Sequence, residues 1–169
     1  WNVSRRCNLH CLHCYTESKD LSYPDELSHD EGKTLIDQLA DYGVPVLLLS
    51  GGEPLYRSDT LELAHYAALK GLRVVISTNG TMISEEVARN IKNAGVSYVG
   101  VSLDGLGEVH DRFRGVMGTF QKSLAAIGRC RDAGVKVGLR FTLTRYNSHQ
   151  VEDIFRLVED QGIHRVCFY

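Results

Sequence analysis

Residues 42–55 read YGVPVLLLSGGEPL, and the fold follows from how this stretch is parsed. Gly43 sits after a helical pattern and before a branched residue, the place of a left-handed helix C′ cap. The apolar run 44–49 is short, about the length of a buried strand, and is bounded by turn residues. Ser50-Gly51-Gly52 then breaks it. The stretch is therefore the end of a helix, a whole buried strand and a glycine turn at that strand's C-terminal end.

The same unit recurs. KGL (70–72), AGV (94–96), AGV (133–135) and QGI (161–163) repeat the cap at Gly71, Gly95, Gly134 and Gly162. Each is followed by a short apolar run: LRVVIST, VSYVGVS, VKVGLRFTL and IHRVCFY. Helix starts are marked by Ser28-His-Asp-Glu31, a capping box, by Ser84 before EEVARNI and by Ser148 before HQVEDIFRLV. With an opening strand in WNVSR, the pattern predicts six strands and five helices. Alternating strands and helices imply a parallel sheet with crossover helices, and strands apolar on both faces fit a barrel or a doubly wound sheet.

In such folds chemistry gathers at the C-terminal ends of strands. Those ends carry RRCNLHC, SGGEP, STNG, SLDG and the stretch Arg140 to Thr144, whereas the opposite rim carries only the capping glycines.

Composition narrows the class. Of 169 residues, 43 % are hydrophobic and 24 % charged, the net charge is −2 and the pI is about 6.4, which gives no basic footprint for nucleic acid or an anionic membrane. No apolar run approaches the roughly 20 residues of a membrane span. The chain begins at Trp1 and stops inside VCFY, so residues 1–169 are read as one core domain of a longer protein. Five cysteines, an odd number clustered at one end, speak against a secreted disulfide scaffold and for the cytoplasm.

Three of those cysteines, Cys7, Cys11 and Cys14, are spaced C-x3-C-x2-C. A zinc knuckle would recruit His10 or His13 as a fourth ligand, but zinc ligands usually come in two separated pairs. Inert structural thiols prefer apolar surroundings, and Arg5, Arg6, His10 and His13 are close by. A [4Fe–4S] cluster fits best: it is usually held by four cysteines, so three leave one iron open to a substrate or cofactor.

C-x3-C-x2-C after a first strand, with GGEP after a second, resembles the radical S-adenosylmethionine (SAM) superfamily over the whole chain. The resemblance implies an α/β fold, a partial (β/α)6 TIM-like barrel with helices outside a parallel sheet and the last helix not in the chain. It implies two cofactors, a [4Fe–4S] cluster on Cys7, Cys11 and Cys14, and SAM chelating the open iron. Reductive cleavage of SAM would give a 5′-deoxyadenosyl radical that takes hydrogen from an unactivated C–H bond.

The resemblance also carries residue expectations. The turn of Gly51, Gly52, Glu53 and Pro54 would receive the SAM ammonium, with Glu53 as its carboxylate. Ser102 and Asp104 in SLDG would contact the SAM carboxylate or ribose. Ser77 and Asn79 would line the pocket, Arg140 would pair with the SAM carboxylate, and His13 and Tyr15 would wall the adenine. His13 stands where an aromatic residue is commoner. HDRFR (110–114) is read as a solvated loop pinned by salt bridges, and Cys130 and Cys167 as packed residues. The wider sequence is most similar to enzymes of haem d1 and sirohaem-dependent haem biosynthesis. That implies an iron tetrapyrrole substrate attacked on an acetate or propionate side chain, and an electron donor such as flavodoxin or ferredoxin. A peptide- or quinone-cofactor-maturing enzyme is the alternative within the class; a zinc-stabilised, non-catalytic binding scaffold is the alternative outside it.

Overall fold

The computed structural model describes residues 1–169. Six parallel strands form one sheet in chain order: β1 (Asn2–Ser4), β2 (Val46–Gly51), β3 (Arg73–Thr78), β4 (Tyr98–Ser102), β5 (Val137–Phe141) and β6 (Val166–Phe168). The connections contain α1 (His29–Asp41), α2 (Thr60–Leu69), α3 (Glu85–Asn93), α4 (Glu108–Arg114), α5 (Thr119–Asp132) and α6 (Val151–Asp160). This is the α/β architecture expected, with one helix more than the five read from the glycine caps.

Local rules account for most boundaries. Gly43, Gly71, Gly95, Gly134 and Gly162 all have φ between 60° and 85°, the left-handed region in which a Cβ is penalised. The Ser28–Glu31 capping box is formed, each side chain answering the other's backbone N–H. Ser84 caps α3 through the Val87 N–H. Ser148 does not start a helix directly: 148–150 form a 3-10 turn, and α6 begins at Val151.

Apolar residues lie on both faces of the strands, as with Leu48 and Val75 opposite Leu49 and Val74, but the two faces differ toward the C-terminal ends. Leu47, Leu49, Val74, Ile76, Val99, Val101, Leu139 and Phe141 are buried in one continuous core with Ile36, Leu63, Ile91 and Ile127 of the helices. The alternate positions toward the C-terminal ends are Ser50, Ser77, Gly100, Ser102 and Arg140, all but Gly100 lining one cavity. Register puts Ser77 opposite Gly100 and Ser102 opposite Arg140. The missing Cβ of Gly100 makes room for Arg140, whose Cδ would lie 2.8 Å from it. Packing thus takes one side of each strand, and at the C-terminal ends the other side carries polar groups. No helix is long and apolar enough to cross a membrane.

Candidate functional site

The cavity at the C-terminal rim has a volume of about 410 Å³ and is lined by Cys7, Cys11 and Cys14 together with the strand ends. That is within the range of small-molecule and cofactor sites.

The cysteines lie between β1 and α1 in a segment without regular secondary structure, so its position depends on tertiary bonds. The Cys7 N–H donates to the Lys19 carbonyl at 3.2 Å, the His10 N–H to the Arg114 carbonyl at 3.1 Å and the Leu12 N–H to the Phe113 carbonyl at 3.0 Å. The carbonyl of His10 passes so close to Gly115 (φ 72°) that a Cβ there would lie 2.4 Å from it. The C-terminal end of α4 therefore grips the cysteine segment.

All three thiols are free. Burial pushes the Cys7 thiol up to about 11. Burial also raises Cys11, although Arg114 opposes it. Burial acts the same way on Cys14, but bonds from Thr16 and Ser18 outweigh it and the net shift is downward. No group of three His, Cys, Asp or Glu side chains is gathered as a single chelated ion would need. A cubane instead takes its thiolates at separate irons. Three free thiols on the wall of a cofactor-sized cavity are a donor set that fits such a cluster.

The GGEP turn is stitched to the chain just after β1. The Gly52 N–H donates to the Ser4 carbonyl at 2.7 Å, and the Glu53 N–H to the Arg6 carbonyl at 2.9 Å. At Gly51 (φ 141°) a Cβ would lie 2.2 Å from the Ser4 carbonyl oxygen, and at Gly52 2.4 Å from that of Arg6, so neither position admits a side chain. Ser50, Gly51 and Gly52 face the cavity.

Glu53, expected as a direct acceptor, lies behind the wall instead. It is fully buried, and its carboxylate accepts from the Leu55 N–H (3.1 Å), the Thr78 hydroxyl (2.7 Å) and the Asn79 N–H (2.7 Å). Burial pushes its pKa up against those bonds. It ties the end of β2 to the end of β3, and Pro54 beside it is likewise buried off the cavity. Asp104 is corrected in the same way. It is 0 % exposed, salt-bridged to Arg114, and accepts from the Thr142 N–H at 2.6 Å; it does not line the cavity.

Ser77, Asn79, Ser102, Arg140, His13 and Tyr15 do line it. Arg140 lies 4.8 Å from the ring centre of Tyr169 and makes no ion pair with an acid, so its charge remains available to an anion. The His13 ring is 4.4 Å from that of Phe113, which gives the imidazole the aromatic backing that it lacks by itself. Burial lowers the pKa of His13, so its 3.8 Å approach to Asp104 is a contact of a neutral ring at pH 7.

The residues missed from sequence come mostly from HDRFR. It is not a solvated loop: it ends α4, and His110, Asp111, Phe113 and Arg114 are all buried. Asp111 caps the start of α5 through the Gly118 and Phe120 N–H groups. His110 Nδ1 accepts from the Asp104 N–H at 3.0 Å. Burial, aided by Arg114, lowers the pKa of His110 to about 3. The unfolded chain therefore binds a proton that the folded one does not between about pH 6.5 and 3, and stability must fall as pH drops through that window, by up to about 1.4 kcal/mol per pH unit. His110→Asn, which keeps an acceptor but cannot titrate, is expected to flatten that part of the profile of urea midpoints against pH. An unchanged slope would remove His110 as its source.

With this geometry in hand, comparison with known proteins is direct. The profile of the Radical SAM superfamily matches residues 1–158. The chain belongs to the radical SAM superfamily. It is 54 % identical over all 169 residues to Fe-coproporphyrin III synthase of Methanosarcina barkeri and 42 % identical over 163 residues to pre-heme d1 synthase of Dinoroseobacter shibae. It spans 42 % and 40 % of those proteins' own lengths. The structure of Streptococcus suis SuiB bound to S-adenosylmethionine superposes with a TM-score of 0.84 at 19 % identity, over 98 % of this chain and 38 % of that one. The superfamily's cofactors are a [4Fe–4S] cluster and SAM, and the radical SAM chain described here presents thiols, a glycine turn and a free guanidinium on a single cavity.

Proposed function

We propose that this chain is the core of a radical SAM enzyme acting on an iron tetrapyrrole of haem or haem d1 biosynthesis. The observation that supports it most is identity of 54 % over all 169 residues to Fe-coproporphyrin III synthase of Methanosarcina barkeri.

When bound, cluster and SAM supply one-electron cleavage of the sulfonium and a radical able to abstract hydrogen from carbon. The rest falls to side chains. Cys7, Cys11 and Cys14 hold the cluster. The carbonyls of the Ser50–Gly52 turn receive the ammonium, because the missing Cβ atoms let a ligand approach the backbone. Arg140 and Ser102, register partners on β5 and β4, take the SAM carboxylate, for which a guanidinium is a geometric match. Ser77 and Asn79 serve the ribose, and His13 on Phe113, with Tyr15, flanks the adenine. Glu53 and Asp104 position these groups from behind. With cluster and SAM in the cavity of about 410 Å³, the tetrapyrrole would sit at its open rim. The reducing electron would come from a low-potential donor such as flavodoxin or ferredoxin, and five free thiols favour the cytoplasm.

Anaerobically reconstituted protein is expected to bind iron and sulfide and, with dithionite and SAM, to release 5′-deoxyadenosine in proportion to a mass change in an iron coproporphyrin or sirohaem-derived tetrapyrrole. Turnover of a peptide with no change in any tetrapyrrole would move the assignment to the peptide-maturing branch. Stoichiometric zinc without iron or sulfide would sink the enzyme reading and leave the binding scaffold.

A further inference from the structure

The three thiols are not electrostatically equal. Cys7 Sγ is approached by the Leu9 N–H at 3.5 Å and the Asn79 amide at 3.9 Å. Cys14 Sγ accepts from the Ser18 N–H at 3.3 Å and contacts the Thr16 hydroxyl at 3.4 Å. Cys11 alone has a cationic donor: Arg114 Nη1 lies 3.6 Å from its sulfur. The Arg114 side chain is 9 % exposed, donates through Nη2 to the buried Asp104 carboxylate, and leaves its buried Nε without a partner. It also lines the cavity. Asp104 is in turn fixed to the ends of β4 and β5, because its other oxygen takes the Thr142 N–H and its carbonyl the Asn147 amide at 3.0 Å.

We propose that Arg114 is a positioning residue that sets the reduction potential of the cluster through the Cys11 corner, with Asp104 as its counterweight. This rests on the assignment of a cluster to the three cysteines. An arginine stays charged at any working pH. Hydrogen bonds to cluster sulfurs and nearby charge are among the levers that fix the potential. Reduction adds one negative charge, so a cation donating to a ligand sulfur stabilises the reduced form and raises the potential. The carboxylate beside it acts in the opposite sense, and the pair leaves a net effect smaller than either charge by itself. Since both groups are buried, counter-ions screen them far less than surface charges.

The two residues therefore make opposite predictions, which a general loosening of the site would not. In an EPR-monitored redox titration of reconstituted protein without SAM, Arg114→Gln is expected to shift the midpoint to more negative potential and Asp104→Asn to more positive potential. Arg114→Lys, which keeps the charge and one donor, should fall between wild type and Arg114→Gln. The order should persist at high salt. If Arg114→Gln fails to take up iron, Arg114→Lys and Asp104→Asn carry the comparison. Midpoints unchanged in fully loaded variants, or displaced in the same direction for Arg114 and Asp104, would overturn the inference while leaving the cluster assignment intact. Wild-type protein that takes up no iron and sulfide would instead overturn the assignment itself.

Discussion

Cys11→Ala is expected to fold normally and to lose SAM cleavage. The residue is only half-buried and makes no backbone-stabilising bond through its sulfur other than the approach of Arg114, so truncating it removes little packing. Its chemical loss is of another order. Changes one shell away from a metal typically cost roughly 10–100-fold, and removal of a ligand from a set of three leaves an iron without its thiolate. Cleavage should drop by more than that range, the EPR signal of the reduced cluster should disappear, and the urea midpoint of the cluster-free protein should move little. Cys130→Ala is the matched control. Cys130 is 0 % exposed in the main core and does not line the cavity, so its loss should lower stability and leave iron content unchanged. Retention of full SAM cleavage by Cys11→Ala would refute the ligand assignment.

The second large effect is expected at Glu53. Glu53→Ala leaves three donors, the Leu55 and Asn79 N–H groups and the Thr78 hydroxyl, facing a void. Each buried, unanswered donor costs about 1–3 kcal/mol. Relief of the burial penalty on the carboxylate, visible as its raised pKa, offsets part of this. A net destabilisation of about 2–5 kcal/mol is expected. Because Glu53 joins the ends of β2 and β3, SAM affinity of the surviving folded protein should also fall, by about tenfold or more. Glu53→Gln, which retains one acceptor oxygen, should lie between. A urea midpoint within error of wild type would show that the network is not what holds the turn. A large loss of stability with unchanged SAM affinity would show that the turn does not depend on it.

The strand order and the rim were legible because they are local. A glycine in the left-handed region, a capping box and a run of branched residues each act over a few positions, and five repeats of one unit leave few topologies open. What escaped was the seven-residue α4. It begins after Gly107 with no side-chain cap bond and is enclosed by glycines at both ends, so no local signal marks it as a helix. Its polar residues looked solvated, yet His110, Asp111 and Arg114 are buried because each finds its partner elsewhere in the chain, at Asp104, at the start of α5 and at Cys11. Ser148 misled for a related reason: a serine before an acidic amphipathic stretch can open a 3-10 turn as readily as an α-helix.

By itself the sequence determined the order of the strands and of five of the six helices, the rim at which polar groups collect, and the trio of thiols beside a glycine turn, since all of these rest on spacing and backbone preference. Only the tertiary structure decided which of those polar groups face the cavity. Ser102 and Asp104 are two residues apart, and Gly52 and Glu53 are adjacent, yet in each pair one lines the cavity and the other is buried behind it. That choice depends on partners remote in sequence: Thr78 and Asn79 for Glu53, and Arg114 and Thr142 for Asp104. A buried carboxylate must find its donors wherever the fold supplies them, and no local pattern records where that will be.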